Sequence, residues 1–210
     1  VEAMACVLEG LGVDAVGINC SLGPSEIYPL AETLCASTRL PVIIKANAGL
    51  PDPVTGEYSI SPEQFAQQLA PYYDLGVSIL GGCCGTSPAY IQQITQTFAG
   101  RCPAKREYHP VSRICTPSQV VSIDGVRVIG ERINPTGKKR FQQALREKDL
   151  GYILERGMEQ VDAGADILDV NVGLPGVDEA QMMTDTVKAL QSVISLPLQI
   201  DSSNPQVIEA

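Results

Sequence analysis

The sequence predicts an α/β protein with parallel strands, and three observations lead to that class. Apolar segments of strand length alternate with segments of helical spacing, a pattern typical of parallel sheets with helical crossovers. The strand segments are almost continuously apolar, which indicates burial on both faces. Polar residues follow these strands at their carboxyl ends, the edge where (β/α)8 barrels of the TIM type carry their chemistry. We therefore predict TIM-type (β/α)8 architecture.

Two kinds of helix-to-strand junction predict where the strands begin. In the segments 11–19, 75–81 and 163–171, a glycine ends a helix and an apolar strand follows. Glycine suits the left-handed position just after a helix. In the segments 40–45 and 196–201, a proline ends the helix instead, and a buried strand follows.

Helical segments are predicted between these strands. One begins at Ser61-Pro62-Glu63, which supplies an N-cap, a first-turn proline and an acidic residue near the positive end of the helix. Phe65, Leu69 and Tyr72 continue it with helical spacing, to give a single helix. Further helices are predicted over residues 1–10, 25–37, 88–98, 141–163 and 179–194, and Asn204-Pro205 is a further helix start.

Residues 103–119 separate two such series of strands and helices. Prolines, mixed charges and the only histidine, His109, indicate an interdomain linker. A β-hairpin from Val120 to Ile129 is predicted next, around Asp124-Gly125. Roughly three strand–helix units lie on each side, whereas a complete barrel has eight. We therefore expect two partial (β/α)8 barrels, residues 1–102 and 120–210, within a longer chain; a single six-stranded domain is the alternative.

Composition narrows the function classes. With 210 residues and 44% apolar side chains, the chain can bury a sizeable core. A net charge of −9 argues against nucleic-acid binding, which requires a basic surface. No apolar run of about 18 residues and no secretion signal is present, so we expect a cytoplasmic protein that does not bind membranes. A single histidine makes a histidine-dependent catalytic triad hard to build.

The seven cysteines indicate reduced thiols rather than a disulfide scaffold, because their number is odd and two are adjacent. Cys20 ends one strand segment, and Cys83-Cys84 follow another between glycines. Three thiolates from two strand ends can hold one zinc ion and leave a fourth position free for substrate, as in catalytic zinc sites. The alternative is that these cysteines are small buried apolar residues. Cys6 and Cys35 are predicted to be structural.

Several motifs resemble known families. Three of them, at residues 17–20, 45–51 and 81–86, resemble the homocysteine-binding barrel of zinc-dependent homocysteine S-methyltransferases. Three more, at residues 130–137, 168–173 and 200–202, resemble the pterin-binding barrel. The two barrels in this order resemble the family of cobalamin-dependent methionine synthases.

The resemblance implies a role for each motif. Cys20, Cys83 and Cys84 would be the zinc ligands, and Asn47 would lie near the amino acid part of homocysteine. Five polar residues would line the pterin site: Glu131, Asn134, Asp169, Asn171 and Asp201. Residues 1–102 would be the C-terminal part of the homocysteine- and zinc-binding barrel, and residues 120–210 the N-terminal part of the pterin-binding barrel. Cobalamin, bound by a module of the same protein outside this chain, would carry the methyl group of methyltetrahydrofolate to homocysteine.

The residue types suit this chemistry. A free thiol has a pKa of about 8.5, so a metal is needed to keep a substrate thiol deprotonated at neutral pH. Asp and Asn side chains offer short acceptors and donors to the amide-like edge of a pterin. Their alternative role is helix capping, which we prefer for Asp178 and Asn204. The basic run Lys138-Lys139-Arg140 is interpreted as a solvated helix start rather than a contact for a glutamate tail.

Two alternative functions remain open from the sequence. One is a homocysteine S-methyltransferase that uses another methyl donor, such as a methylsulfonium compound. The other is a non-catalytic zinc- and pterin-binding fragment. A site closed by four protein ligands would ignore added homocysteine, which separates the second alternative from an enzyme.

Overall fold

Two separate three-stranded parallel sheets organise the chain in the computed structural model, which describes residues 1–210. They belong to two units, Val1–Pro110 and Val111–Ala210, each with its own buried apolar core. The prediction of a mixed α/β fold with parallel sheets is confirmed. No helix in either unit is both long enough and apolar enough to cross a membrane.

The first sheet consists of β1 (Val16–Asn19), β2 (Val42–Ala46) and β3 (Ile79–Gly82), in that spatial order. Each strand lies beside the next in sequence, and all three run in the same direction, so their carboxyl ends meet at one edge. Five helices accompany them: α1 (Glu2–Gly10), α2 (Pro24–Ser37), α3 (Pro62–Gln68), α4 (Ala70–Asp74) and α5 (Pro88–Phe98).

The helix predicted to begin at Ser61 begins there but does not continue unbroken. Ser61 accepts a hydrogen bond from the Gln64 amide, and the Gln64 side chain accepts one from the Ser61 amide, which forms a capping box. The helix is interrupted at Leu69, between α3 and α4. Pro71 explains the break, because proline has no amide hydrogen to donate to the preceding turn. The prediction of one continuous helix is therefore wrong.

The junction glycines adopt the predicted conformation. Gly12, Gly76 and Gly164 follow helices with φ angles of 76°, 75° and 88°, in the left-handed region. A residue with a Cβ is strained there, so glycine at these positions fixes where each helix stops and the next strand begins.

Residues after α5 fold back onto the first unit. The Ala104 amide donates to the Tyr73 carbonyl at 3.1 Å. The Arg106 guanidinium donates to the carbonyls of Cys35 and Thr38, at 3.2 and 3.1 Å, and also to that of Leu40. These carbonyls lie where α2 ends and β2 is about to begin, so Arg106 caps the α2 carboxyl terminus from a distant part of the chain.

A hairpin begins the second unit, but not the predicted one. Strand β4 (Arg113–Cys115) pairs antiparallel with β5 (Val120–Ser122). The Thr116 amide donates to the Gln119 carbonyl, and the Thr116 hydroxyl accepts from the Gln119 amide. The predicted hairpin from Val120 to Ile129 is wrong, because the turn forms at this hydroxyl instead. Asp124, expected in the turn, instead pairs with Arg127.

The second sheet consists of β6 (Ile129–Ile133), β7 (Ile167–Val170) and β8 (Leu198–Ile200), again parallel and in sequence order. Its helices are α6 (Lys139–Glu147), α7 (Leu150–Asp162), α8 (Glu179–Val193) and α9 (Pro205–Glu209). The helix predicted over residues 141–163 is divided in two. Lys148 adopts a left-handed φ of 54°, and the Asp149 side chain caps α7 by accepting from the Tyr152 amide.

Candidate functional site

The three predicted cysteines meet at the carboxyl edge of the first sheet. Cys20 directly follows β1, and Cys83 and Cys84 directly follow β3. Their Sγ atoms all lie within 4.8 Å of one another. The Cys20 and Cys84 sulfurs are 3.5 Å apart, and those of Cys83 and Cys84 are 3.9 Å apart. Cys20, Cys83 and Cys84 are free thiols.

The central strand sets this spacing. The Cys20 amide donates to the Lys45 carbonyl at 2.9 Å, and the Cys83 amide donates to the Ala46 carbonyl at 2.7 Å. Consecutive carbonyls of β2 therefore anchor the cysteines on both of its neighbours. Because the strands are parallel and in register, residues 64 positions apart in sequence reach a common point.

Unusual backbone geometry turns the cysteines toward one another. Cys20 and Ser21 both have a φ of 71°, a strained conformation for residues with a Cβ. Such conformations cluster at functional sites, where the surrounding structure enforces them. Gly85, with a φ of 77°, ends the turn that contains Cys83 and Cys84. A Cβ on Gly82 would lie 2.4 Å from the Thr86 hydroxyl, so glycine at this strand end also provides room.

The thiols influence one another's protonation. The Ser21 amide, followed by the Cys84 and Cys83 thiols, lowers the pKa of Cys20. Hydrogen bonding and charge from Cys20 and Cys83 raise the pKa of Cys84. Three close sulfurs cannot all carry negative charge without a cation. Three thiolate donors are the soft ligand set that suits zinc, so the residues present fit the predicted metal.

Asn47 is part of the same cluster. It is only 5% exposed, and its Oδ1 accepts a hydrogen bond from the Cys84 amide at 3.0 Å. Its backbone amide donates to the Leu22 carbonyl at 3.0 Å, in the segment just after Cys20, and its side chain helps to lower the pKa of the Cys20 thiol. Asn47 therefore holds both cysteine segments. Contact with the amino acid part of homocysteine stays a prediction.

Tyr58 is a site residue that sequence reasoning missed. Its ring lies against Gly85, where an added Cβ would be 2.2 Å from the ring. Burial, and then the Cys84 sulfur, raises the pKa of the Tyr58 phenol. Tyr58 stands 26 positions before Cys84 in a loop with no recognisable motif. Only the folded path of that loop reveals its place.

The second sheet gathers three of the predicted pterin residues. Asp169 is in β7, while Asn171 and Asp201 directly follow β7 and β8. The Asn171 amide group donates to Asp201 Oδ2 at 2.9 Å, and Gln199 donates to Asp169 Oδ1 at 3.0 Å. Asp169 is 6% exposed, and burial raises its pKa, with further contributions from the Asp201 and Glu131 carboxylates.

The other two predicted residues have local partners. Glu131 is exposed and forms an ion pair with Lys138 at 3.2 Å. Its negative charge also contributes to the raised pKa of Asp169. Asn134 Oδ1 accepts from the Thr136 amide at 2.9 Å, which stabilises the turn after β6. The structure therefore brings Asp169, Asn171 and Asp201 together, and the charge of Glu131 acts on Asp169.

The predicted capping residues are confirmed. Asp178 accepts from the Gln181 amide at the start of α8, and Asn204 accepts from the Gln206 amide at the start of α9. In the basic run, Lys138 pairs with Glu131 and Arg140 with Asp149. These ion pairs occupy both side chains, in agreement with a solvated helix start.

Comparison with known proteins matches two parts of the chain to two different family models. Residues 1–98 match the family model of homocysteine S-methyltransferases. Residues 130–210 match the family model of pterin binding enzymes. Methionine synthases from Mycobacterium tuberculosis and Mycobacterium leprae are 35% and 34% identical over the whole of this chain. The chain spans 18% of the length of each. The resemblance predicted from the motifs is confirmed.

Proposed function

We propose that this chain is the segment of a methionine-forming methyltransferase at which homocysteine and methyltetrahydrofolate bind. In this proposal, residues 1–102 are the C-terminal part of a homocysteine- and zinc-binding (β/α)8 barrel. Residues 120–210 are the N-terminal part of a pterin-binding (β/α)8 barrel, and residues 103–119 connect the two. The two family matches and the sequence-order parallel sheets support this assignment. The free cysteines are consistent with a cytoplasmic location.

The convergence of Cys20, Cys83 and Cys84 is the observation that carries the proposal. These three sulfurs would hold one zinc ion and leave one position for the sulfur of homocysteine. When bound, zinc supplies a Lewis acid that keeps a substrate thiol deprotonated at neutral pH. The cysteines' combined negative charge would keep that substrate sulfur electron-rich, and Asn47 would hold the Cys84 backbone in place.

The second site would bind the pterin through its amide-like edge. Asp169, Asn171 and Asp201 offer acceptors and a donor at short range, and Glu131 and Asn134 would complete the lining. The methyl group would reach homocysteine via cobalamin bound by a module of the same protein outside this chain.

Metal analysis of the 210-residue chain tests the zinc site. We expect about one zinc per chain, and its loss in each of Cys20→Ala, Cys83→Ala and Cys84→Ala. Cys102→Ala is the matched control, because Cys102 is exposed and lies outside the cluster. Full zinc retention in all three single variants would refute the assignment.

Cobalt substitution tests for the open position. Homocysteine should change the cobalt–thiolate absorption of the wild-type chain, because a fourth sulfur joins the metal. An unchanged spectrum would indicate a closed, non-catalytic site. Methionine serves as the control, since its thioether is a much weaker ligand than a thiolate.

The choice of methyl donor depends on the second unit. A homocysteine S-methyltransferase that uses a methylsulfonium donor would have no need for a pterin-binding half, and residues 130–210 match that family. In the longer protein, methyltetrahydrofolate should support methionine formation, and Asp201→Ala should abolish it. Turnover with a methylsulfonium donor alone would favour the alternative.

A further inference from the structure

A side-chain hydrogen bond joins the segments that follow β7 and β8 in the second sheet. The Ser202 hydroxyl donates to Glu179 Oε1 at 2.6 Å, although the two residues are 23 positions apart in sequence. Ser202 lies two residues after β8, and Glu179 is the first residue of α8. Both residues are half-buried. The bond therefore connects the two segments beyond the last paired residues of the strands.

Asp201, one of the predicted pterin residues, lies directly before this bond. Its amide donates to the Val170 carbonyl at 2.9 Å, and its Oδ2 accepts from the Asn171 side chain at 2.9 Å. Its neighbour Ser202 then donates to Glu179. The position of Asp201 therefore depends on the bond made by the next residue as well as on Asn171.

Glu179 is well placed to be the fixed partner in this bond. It lies in the first turn of α8, where the positive end of the helix favours a carboxylate. A Cβ added to Gly173 would be 3.5 Å from Glu179 Oε1 and 3.4 Å from Asn171 Oδ1, so both oxygens lie beside the same glycine. A distance of 2.6 Å is typical of a hydroxyl bonded to an ionised carboxylate, which is stronger than a bond between neutral groups.

We propose that Glu179 is a positioning residue for the pterin, because it holds Asp201 beside Asn171 through Ser202. This inference rests on the proposed pterin site. Glu179 acts through Ser202 and need not contact the pterin itself. An Asp201 side chain that is already in place before the pterin arrives removes an ordering cost that would otherwise weaken binding.

A purely structural role for Glu179 predicts a different result. If Glu179 only stabilised the start of α8, its removal would lower the stability of the second unit and leave the KM of the folded molecules unchanged. If Glu179 positions Asp201, its removal should raise the KM for methyltetrahydrofolate while kcat changes little, because a contact that contributes equally to substrate and transition-state binding is weakened.

The test measures methyltetrahydrofolate binding to the longer protein by titration calorimetry. Glu179→Ala and Ser202→Ala should each weaken binding about 3- to 10-fold, the effect expected when one polar side chain must be ordered on binding. The double variant should bind no more weakly than either single variant, because both substitutions remove the same hydrogen bond. Glu179→Gln keeps an acceptor oxygen for the Ser202 hydroxyl and should retain most of the affinity.

Two controls isolate the role of Glu179. Asp185→Ala removes another carboxylate of α8, one that accepts a hydrogen bond from Gln181 within the same helix, and should leave pterin affinity unchanged. A methylated tetrahydropterin without the aminobenzoyl-glutamate tail is the second probe. Its relative loss of affinity in Glu179→Ala should equal that of methyltetrahydrofolate, because Asp201 would contact the ring.

The outcomes separate this inference from the proposed function. Wild-type affinity and KM in Glu179→Ala would overturn the inference alone. A loss confined to the probe with the tail would also overturn it, since Glu179 would then act on the tail. So would a double variant whose loss is the product of the two single losses, because the residues would then act independently. A wild-type longer protein that binds neither probe would overturn the proposed function together with the inference.

Discussion

Individual hydrogen bonds hold the sulfurs of Cys20, Cys83 and Cys84 close together, although these sulfurs repel one another when they are ionised. The Lys45 and Ala46 carbonyls anchor Cys20 and Cys83, and Asn47 anchors Cys84. None of these anchors needs a metal, because each is a hydrogen bond that a cysteine backbone amide donates within the folded protein. The geometry for zinc therefore comes from the protein. Such preorganisation reduces the ordering that metal binding would otherwise require.

Gly85→Ala should damage both stability and metal binding. The φ of 77° costs a residue with a Cβ about 1–2 kcal/mol, and the new Cβ would also clash with the Tyr58 ring beside the Cys83–Cys84 turn. Gly12→Ala is the matched control, because Gly12 has a φ of 76° with nothing within 4 Å of an added Cβ. Denaturant unfolding and zinc titration should show a stability loss in both variants, but weaker zinc binding only in Gly85→Ala. Equal zinc affinity in the two would mean that the close fit of Gly85 against the Tyr58 ring does not position the cysteines.

Asp169→Asn should change how stability depends on pH. Because burial raises the pKa of Asp169, the native state keeps this proton to a higher pH than the unfolded chain does. Below about pH 3.9 both states are protonated, and the wild type carries no penalty. As pH rises through the raised native pKa, the wild type loses stability that the neutral amide retains.

Unfolding of both proteins from pH 3 to 8 measures this difference. Asp169→Asn should be the more stable variant at neutral pH, and its advantage should disappear at acid pH. Asparagine keeps an acceptor oxygen for Gln199, so loss of that hydrogen bond should not obscure the result. Identical pH profiles would show that the Asp169 charge is not destabilising.

The sequence predicted the cysteine cluster but not its surroundings. Cys20, Cys83 and Cys84 stand at the ends of recognisable strands, so parallel pairing alone brings them to one edge. Tyr58 belongs to a loop whose course depends on an Asp52 turn and a single bridge, which residue spacing does not reveal. The sequence also did not predict that the Asn134 side-chain oxygen stabilises the turn after β6, and the place of Asn134 in the pterin site stays a prediction.

Elements were predictable where one residue type dictates the backbone. Glycines at the junctions and the Ser61 cap marked boundaries that the structure reproduces. Breaks within helices were missed because apolar spacing continues across them. At Lys148 the chain adopts a left-handed angle that its residue type does not demand, and Asp149 then starts a new helix. The hairpin was misplaced because a threonine-based turn formed where an Asp-Gly turn was expected.

Arg106→Ala should destabilise the first unit by about 1.5–3 kcal/mol, the range for hydrogen bonds to charged groups. Helix α2 has no basic residue in its last turn, and Arg106 supplies that charge to its terminal carbonyls. Denaturant unfolding provides the measurement. Arg106→Lys should recover only part of the loss, since an ammonium lacks the forked geometry.

Arg101→Ala is the control for this prediction, because Arg101 is exposed and lies five residues earlier in the same segment. Its effect should stay within about 0.5 kcal/mol, as is usual at surface positions. If Arg101→Ala and Arg106→Ala were equally destabilising, the loss of a positive charge, rather than the loss of the α2 cap, would explain the effect.

At the scale of the whole molecule, the two units have separate apolar cores. Leu34 is fully buried in the first core and Leu168 in the second. We expect calorimetry to resolve two unfolding transitions. Leu34→Ala should reduce the free energy of unfolding of the first unit alone, and Leu168→Ala that of the second unit alone, each by about 2–5 kcal/mol. A single transition that both substitutions shift equally would mean that the units unfold as one.

Zinc binding provides a second way to identify which unfolding transition belongs to which unit. A ligand that binds only the native state stabilises it in proportion to the logarithm of its concentration, about 2.7 kcal/mol at 100 times its Kd. Because all three sulfurs belong to the first unit, zinc should raise the transition that Leu34→Ala lowers and leave the other unchanged. Cys84→Ala should remove the zinc effect without moving the second transition. Should zinc raise the transition sensitive to Leu168→Ala instead, the metal would be bound outside the cysteine cluster.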